Sequence, residues 1–158
     1  MTSPPNHCIK LTCGKTRKQL MQTLSFINMS MNFTLLTRHP TPRELLQCLF
    51  EVVPGFRFQW EASDNLFIRE DGSFTVHGVF SELSVYVLEE FANFDKSTRS
   101  SLFQYIEECV NTDIHSDAGV SNAVCTCFLE NLAGEGALSE EIRRHLGPDS
   151  KKYFDQWN

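Results

Sequence analysis

From Thr41 onward, apolar residues recur every three or four positions inside stretches that open on a cap residue and close on glycine or proline. That spacing lays one apolar face along a helix, whereas a half-buried strand alternates every second residue. It predicts an all-α or nearly all-α compact bundle of about four to six helices. Thr41-Pro42-Arg43-Glu44 marks the first start, with Thr as N-cap, Pro at the first helical position and Glu three residues after the cap to close a capping box. Leu45, Leu46, Leu49, Phe50 and Val53 then share a face, and Pro54-Gly55 ends the helix. Phe56, Phe58 and Trp60 alternate with Arg57, Gln59 and Glu61, which is strand spacing; a short hairpin or extended segment near residues 56–61 stands open beside a short helix.

Further starts follow in the same grammar. Asp71-Gly72 is a turn, and Ser73 after it is the expected cap for a helix carrying Phe74, Val79, Phe80, Leu83, Val87, Leu88 and Phe91. Asp95 or Ser97 opens the next, with Leu102, Phe103, Ile106, Cys109 and Val110 inward and Glu107 and Glu108 outward. Ser116-Asp117 opens a third, lined by Val120, Ala123, Val124, Cys127, Phe128 and Leu132 until Gly134 and Gly136 stop it. Ser139-Glu140-Glu141-Ile142 begins a short helix closed by Gly147-Pro148, and Asp149 or Ser150 caps a last turn or two reaching Tyr153, Phe154 and Trp157. Loops this short make the helices antiparallel neighbours.

With 158 residues, 41% of them apolar, the chain has material for one core. Thirteen Phe against three Tyr means that the core is filled by rings needing no hydrogen-bond partner. No apolar run reaches the roughly 18 residues of a membrane span, and the first 30 residues lack a secretion signal, so a cytoplasmic protein is expected. The six cysteines (Cys8, Cys13, Cys48, Cys109, Cys125 and Cys127) then read as reduced thiols.

The net charge of −6 hides two unlike parts. Residues 1–43 hold six cations and no acid, while the remainder holds 8 basic and 20 acidic residues, which is −12. Such a body repels nucleic-acid phosphates and anionic lipid surfaces and attracts basic proteins, although acidity kept for solubility alone gives the same count. Residues 1–30 read as a poorly ordered extension, a transit segment or, preferably, a mis-assigned start ahead of Met29 or Met31, with residues 31–158 as a single helical domain.

Phe128-Leu129-Glu130-Asn131-Leu132, followed after a gap by Leu146-Gly147-Pro148-Asp149-Ser150-Lys151-Lys152-Tyr153-Phe154, resembles a family of small helical bacterial domains of unknown function. The likeness covers about residues 41–157. Similar small acidic helical proteins lie beside toxin genes, so the resemblance implies an immunity-type role and no catalytic residues. The Leu-Gly-Pro run also has a purely structural account as a helix-to-helix corner.

Residue chemistry suggests few alternatives. Cys125-Thr126-Cys127 lacks a metal or redox spacing, since residues two apart on a helix point to different sides. His7, Cys8 and Cys13 match no zinc pattern. His115 with Asp113 and Asp117 reads as a solvated loop ahead of a divalent-ion site or an acid/base group, and pairing it with Cys109 or Cys127 gives a nucleophile without an oxyanion sequence around it. Gly134-Glu135-Gly136 ends a helix and cradles no phosphate. No catalytic residue, metal or cofactor is therefore expected. The acidic pairs Glu89-Glu90, Glu107-Glu108 and Glu140-Glu141, with Trp60 or Trp157 as aromatic anchors, form the expected surface for a basic protein partner such as a nuclease toxin, with no nucleic acid or membrane as ligand. Two rivals stand beside this non-catalytic, immunity-type reading: an enzyme using His115 and a cysteine, and a structural or regulatory subunit.

Overall fold

Helix α1 (Pro42–Val52) begins at the capping box that its sequence spells out. The Thr41 hydroxyl accepts the Glu44 amide at 3.3 Å, and Glu44 Oε2 accepts the Thr41 amide at 2.8 Å, so two amides that the helix itself cannot pair are satisfied. The computed structural model containing it describes residues 40–62, 64–112, 119–134 and 136–157. The expectations placed on residues 1–30, on Ser116-Asp117 and on the His115 cluster lie outside those residues.

The segment left open between strand and helix is α2 (Phe56–Trp60). Three aromatics at positions i, i+2 and i+4 fit a strand, but the first and last also share a helix face. Phe56 and Trp60 are buried there, whereas Phe58 is 81% exposed. The helix starts directly against Tyr86, and a Cβ on Gly55 would overlap the Tyr86 hydroxyl, so a larger residue there would have to displace that ring.

Helix α3 (Val76–Glu90) is capped by Thr75, two residues later than Ser73. Thr75 Oγ1 accepts the Gly78 amide at 3.1 Å, while the Ser73 amide donates to Asp71 Oδ1 at 2.9 Å and so belongs to the preceding turn. A 3₁₀ turn (Phe91–Asn93) leads to α4 (Lys96–Val110), which Asp95 caps through the Thr98 amide at 2.7 Å. Helix α5 occupies 120–132 in three continuous pieces: an α-helical turn (Val120–Ala123), a π-helical stretch (Val124–Leu129) and a closing turn (Glu130–Leu132). Widening the helix displaces carbonyls from their usual donors. Side chains take up that role: Thr126 Oγ1 donates to the Asn122 carbonyl at 2.9 Å, and Asn131 Nδ2 donates to the Cys127 carbonyl at 2.7 Å and to Ser84 Oγ at 3.1 Å. Short helices α6 (Ala137–Arg143) and α7 (Pro148–Phe154) complete an all-α fold, with no strand among the described residues.

The core forms where α3 packs along the π-helical stretch of α5. Val79, Phe80, Leu83 and Val87 from α3 meet Ala123, Val124, Phe128 and Leu129, all without exposure to solvent, and Phe80 and Phe128 meet edge to face at 6.4 Å. Burying each large apolar side chain contributes about 1.5–3 kcal/mol. Phe128→Ala should therefore destabilise the fold by about 3–5 kcal/mol. Urea unfolding followed by the helical circular-dichroism signal checks this, and an unchanged midpoint would remove Phe128 from the load of the core.

Candidate functional site

One face of α4 and the corner between α6 and α7 enclose a groove of about 500 Å³. Lys96, Ser100 and Gln104 line it from α4, four residues apart and therefore on one stripe, with Phe103 beneath them; Arg144 and His145 line the opposite wall. The His145 ring stacks on Phe103, with centroids 5.8 Å apart and 17° between planes, and meets Phe91 edge-on at 5.8 Å. Phe103 is 1% exposed. His145, which is exposed, is thus the aromatic face that the groove presents.

Two polar connections hold the walls. Arg99 lies with its guanidinium 4.5 Å above the Phe91 ring, donates from Nε to the Phe94 carbonyl at 3.1 Å and pairs through NH1 with Glu141 of α6 at 2.9 Å. Glu107 of α4 holds α7. Its Oε1 accepts the Asp149 amide at 2.9 Å, and its Oε2 accepts both the Ser150 amide, at 2.9 Å, and the Ser150 hydroxyl. A carboxylate from another helix therefore fills the capping role that the local sequence leaves empty at Gly147, in the position where a helix favours an anion. Gly147 has an ordinary φ of −70°, so space and not backbone conformation selects it: a Cβ there would overlap the Glu107 carboxyl.

Partial burial raises the Glu107 carboxyl, yet the Ser150 hydroxyl, the Asp149 and Ser150 amides and Asn111 together outweigh it and hold the group below its ordinary value. A carboxyl lowered by folding stabilises the protein above its unfolded pKa, roughly 4.3, and loses that contribution as pH falls through the lower folded value. Glu107→Gln should cost about 1–2 kcal/mol at neutral pH and flatten the acid limb of the stability profile. Gly147→Ala should cost about 1–3 kcal/mol through forced displacement of the same carboxylate. Chemical denaturation between neutral and acidic pH measures both, and an acid limb in Glu107→Gln identical to that of the unaltered chain would refute the clamp.

The remaining expected site residues are dispersed. Glu107 and Glu108 were placed outward, but Glu107 is engaged as described; Glu108 is partly exposed and accepts from Gln104 Nε2 at 3.1 Å on the groove wall. Glu89 is exposed, and the partly exposed Glu90 accepts from Asn93 Nδ2 at 2.8 Å. Trp60 is 4% exposed and packs edge-on against Phe74 at 5.0 Å, which makes it a core ring and not a surface anchor. Trp157 is 52% exposed, beside Tyr153. The structure brings Glu107 and Glu108 to one groove and leaves Glu89, Glu90 and Trp157 outside its lining. Lys96, Arg144 and His145 were missed. The signal was the basic run Arg143-Arg144-His145 in an otherwise acidic body, next to a helix corner.

Among the thiols, Cys109 is wholly buried, and burial raises it far above its ordinary value despite a hydrogen bond with Tyr105. Burial likewise raises Cys48 and Cys125. These sulfurs remain protonated and serve as packing atoms.

Residues 46–158 match a family model described as "Domain of unknown function (DUF7674)". The chain belongs to that family. The DUF7674 match contains the whole groove, the Glu107 clamp and both signature segments, and starts inside α1. No curated protein and no solved structure matches the chain. Among the described residues, no helix is long and apolar enough to cross a membrane, and no group of three His, Cys, Asp or Glu side chains could hold a metal ion.

Proposed function

We propose that this DUF7674 chain is a non-catalytic protein-binding domain and, more specifically, a cytoplasmic immunity-type protein that neutralises a basic bacterial partner such as a nuclease toxin. The observation that carries this reading is the sign of the folded surface. Among the described residues, Asp and Glu number seventeen and Lys and Arg nine, so the acids outnumber the bases by eight even though Glu61, Glu141 and Asp155 are engaged in ion pairs within the fold. The excess attracts a basic partner, speeds its association and weakens with added salt. Glu89 and Glu108, which lie apart, offer carboxylates to such a partner, and Trp157 offers an aromatic body. The enzyme alternative draws no support from Cys109, because a buried protonated thiol is a poor nucleophile.

The test is capture of partners by the tagged full chain from lysate of the source organism, followed by expression of each captured protein alone and together with this chain. A basic protein that arrests growth alone and is harmless in the presence of the chain is the expected result. Its binding should weaken at least tenfold, about 1.4 kcal/mol or more, when Glu89→Lys and Glu108→Lys are combined. Capture of neutral housekeeping subunits only, or binding that ignores both salt and charge reversal, would remove the neutraliser reading.

A further inference from the structure

We infer that the outer face shared by α2, the loop after it and α3 docks a basic amphipathic helix of a partner protein. This rests on the protein-binding reading and names a surface for it. Of the five large apolar side chains that stand exposed among the described residues, four come from this stretch: Phe58 (81%), Leu66 (92%), Phe67 (36%) and Val85 (40%). Their exposure is built into the fold. Asn65 Nδ2 donates to the Trp60 carbonyl at 2.8 Å and Asn65 Oδ1 accepts the Phe67 amide at 2.9 Å, which ties the loop to the end of α2. Phe67 then rests on α3 at Gly78, where a Cβ would stand 3.0 Å from the Phe67 Cβ. Gln59 Nε2 donates to Glu82 Oε1 at 2.8 Å and joins α2, which carries Phe58, to α3. Apolar groups gathered on one face mark a contact surface, whereas single scattered ones do not.

Charge and shape select the occupant. Gly78, Ser81, Val85 and Glu89 lie three or four residues apart on α3 and so form one stripe about three turns long, with Phe67 covering its first position. Helix α3 carries Glu82, Glu89 and Glu90 and no Lys or Arg. On α2 the one cation, Arg57, lies 4.4 Å over the Phe50 ring of α1 and pairs with Glu61. In the loop, Arg69 is outnumbered by Asp64, Glu70 and Asp71. With every charged residue counted, paired or not, residues 56–90 hold seven acids against two bases. This face therefore attracts Lys and Arg and disfavours a second copy of the chain, which would bring like charges together. Among the described residues no strand edge exists to pair an extended backbone, whereas a helix satisfies its own backbone and lays apolar side chains along the stripe. Leucine-sized side chains belong over Ser81, between Phe67 and Val85, with Lys or Arg towards Glu89.

Fluorescence anisotropy on the full chain at low salt tests this with a labelled amphipathic peptide, Lys-Leu-Ala-Lys-Leu-Leu-Lys-Lys-Leu-Ala-Lys-Leu-Leu-Lys-Lys. Its comparisons are a scrambled order of the same residues and a form with every Lys replaced by Glu. The basic amphipathic peptide should bind, and both others should bind about tenfold more weakly or worse. Val85→Ser combined with Glu89→Lys should weaken binding about tenfold, while Asp149→Lys, the same kind of charge reversal on α7, should change it by no more than about twofold. All three substituted side chains are exposed, and an unchanged thermal melt confirms that each variant folds. Equal binding of the scrambled or acidic peptide, indifference to the double substitution, equal weakening by Asp149→Lys, or no binding at millimolar peptide overturns the proposal. Sedimentation of the full chain adds a further arm: self-association abolished by the same double substitution would make a second copy the occupant and also overturn it. If a growth-arresting partner is captured and its binding ignores the double substitution, the neutraliser reading stands and this surface falls; if the peptide results hold but no such partner is captured, the surface stands and the neutraliser reading falls.

Discussion

A single carboxylate organises the C-terminal third of the molecule. Glu107 caps α7 from across the fold, and in doing so fixes the distance between α4 and the corner that precedes α7. Arg99, two turns earlier on α4, makes the matching connection to α6 through Glu141. Between these two attachments the Phe91, Phe103 and His145 rings pack on one another, and Phe103 and His145 line the groove beside them. Neither α6 nor α7, at seven residues each, has the length to persist as an isolated helix in water. Their stability comes from Ile142, Leu146 and Phe154 entering the shared core and from these two polar attachments.

Helix positions were legible in the sequence wherever the cap was local. Thr41 and Asp95 announce α1 and α4 because an N-cap bonds an amide two or three residues away, and that partner is fixed by the chain itself. Local reasoning failed in two ways. Phe56-Arg57-Phe58-Gln59-Trp60 carries a pattern consistent with both periods, and only packing of Phe56 and Trp60 against Tyr86 and Phe74 decides for a helix. Ser73 and Thr75 are both competent caps, and the Asp71 turn claims the first.

The groove was less legible than the fold, for a physical reason. Glu107 looked like a surface acid because helical spacing places it beside Glu108, away from Ile106 and Cys109. Its partners are more than forty residues away in the chain, so no window of sequence contains the pair. Charge counting had the same blind spot: it recorded an acidic body but could not show that Lys96 and Arg144 share one groove with Glu107 and Glu108, or that the first of those carboxylates is held by the α7 amides.

Gly147 shows what this means for reading the Leu-Gly-Pro signature in relatives. The glycine is required by a side chain on another helix, so its substitution tolerance is a property of a pair and not of a position. Within the family, residues 107 and 147 should therefore vary together: a shorter residue at the first would release the second to carry a methyl, and the corner would then need its own Ser, Thr or Asp as cap. A motif that looks like local punctuation is, on this account, one half of a long-range contact.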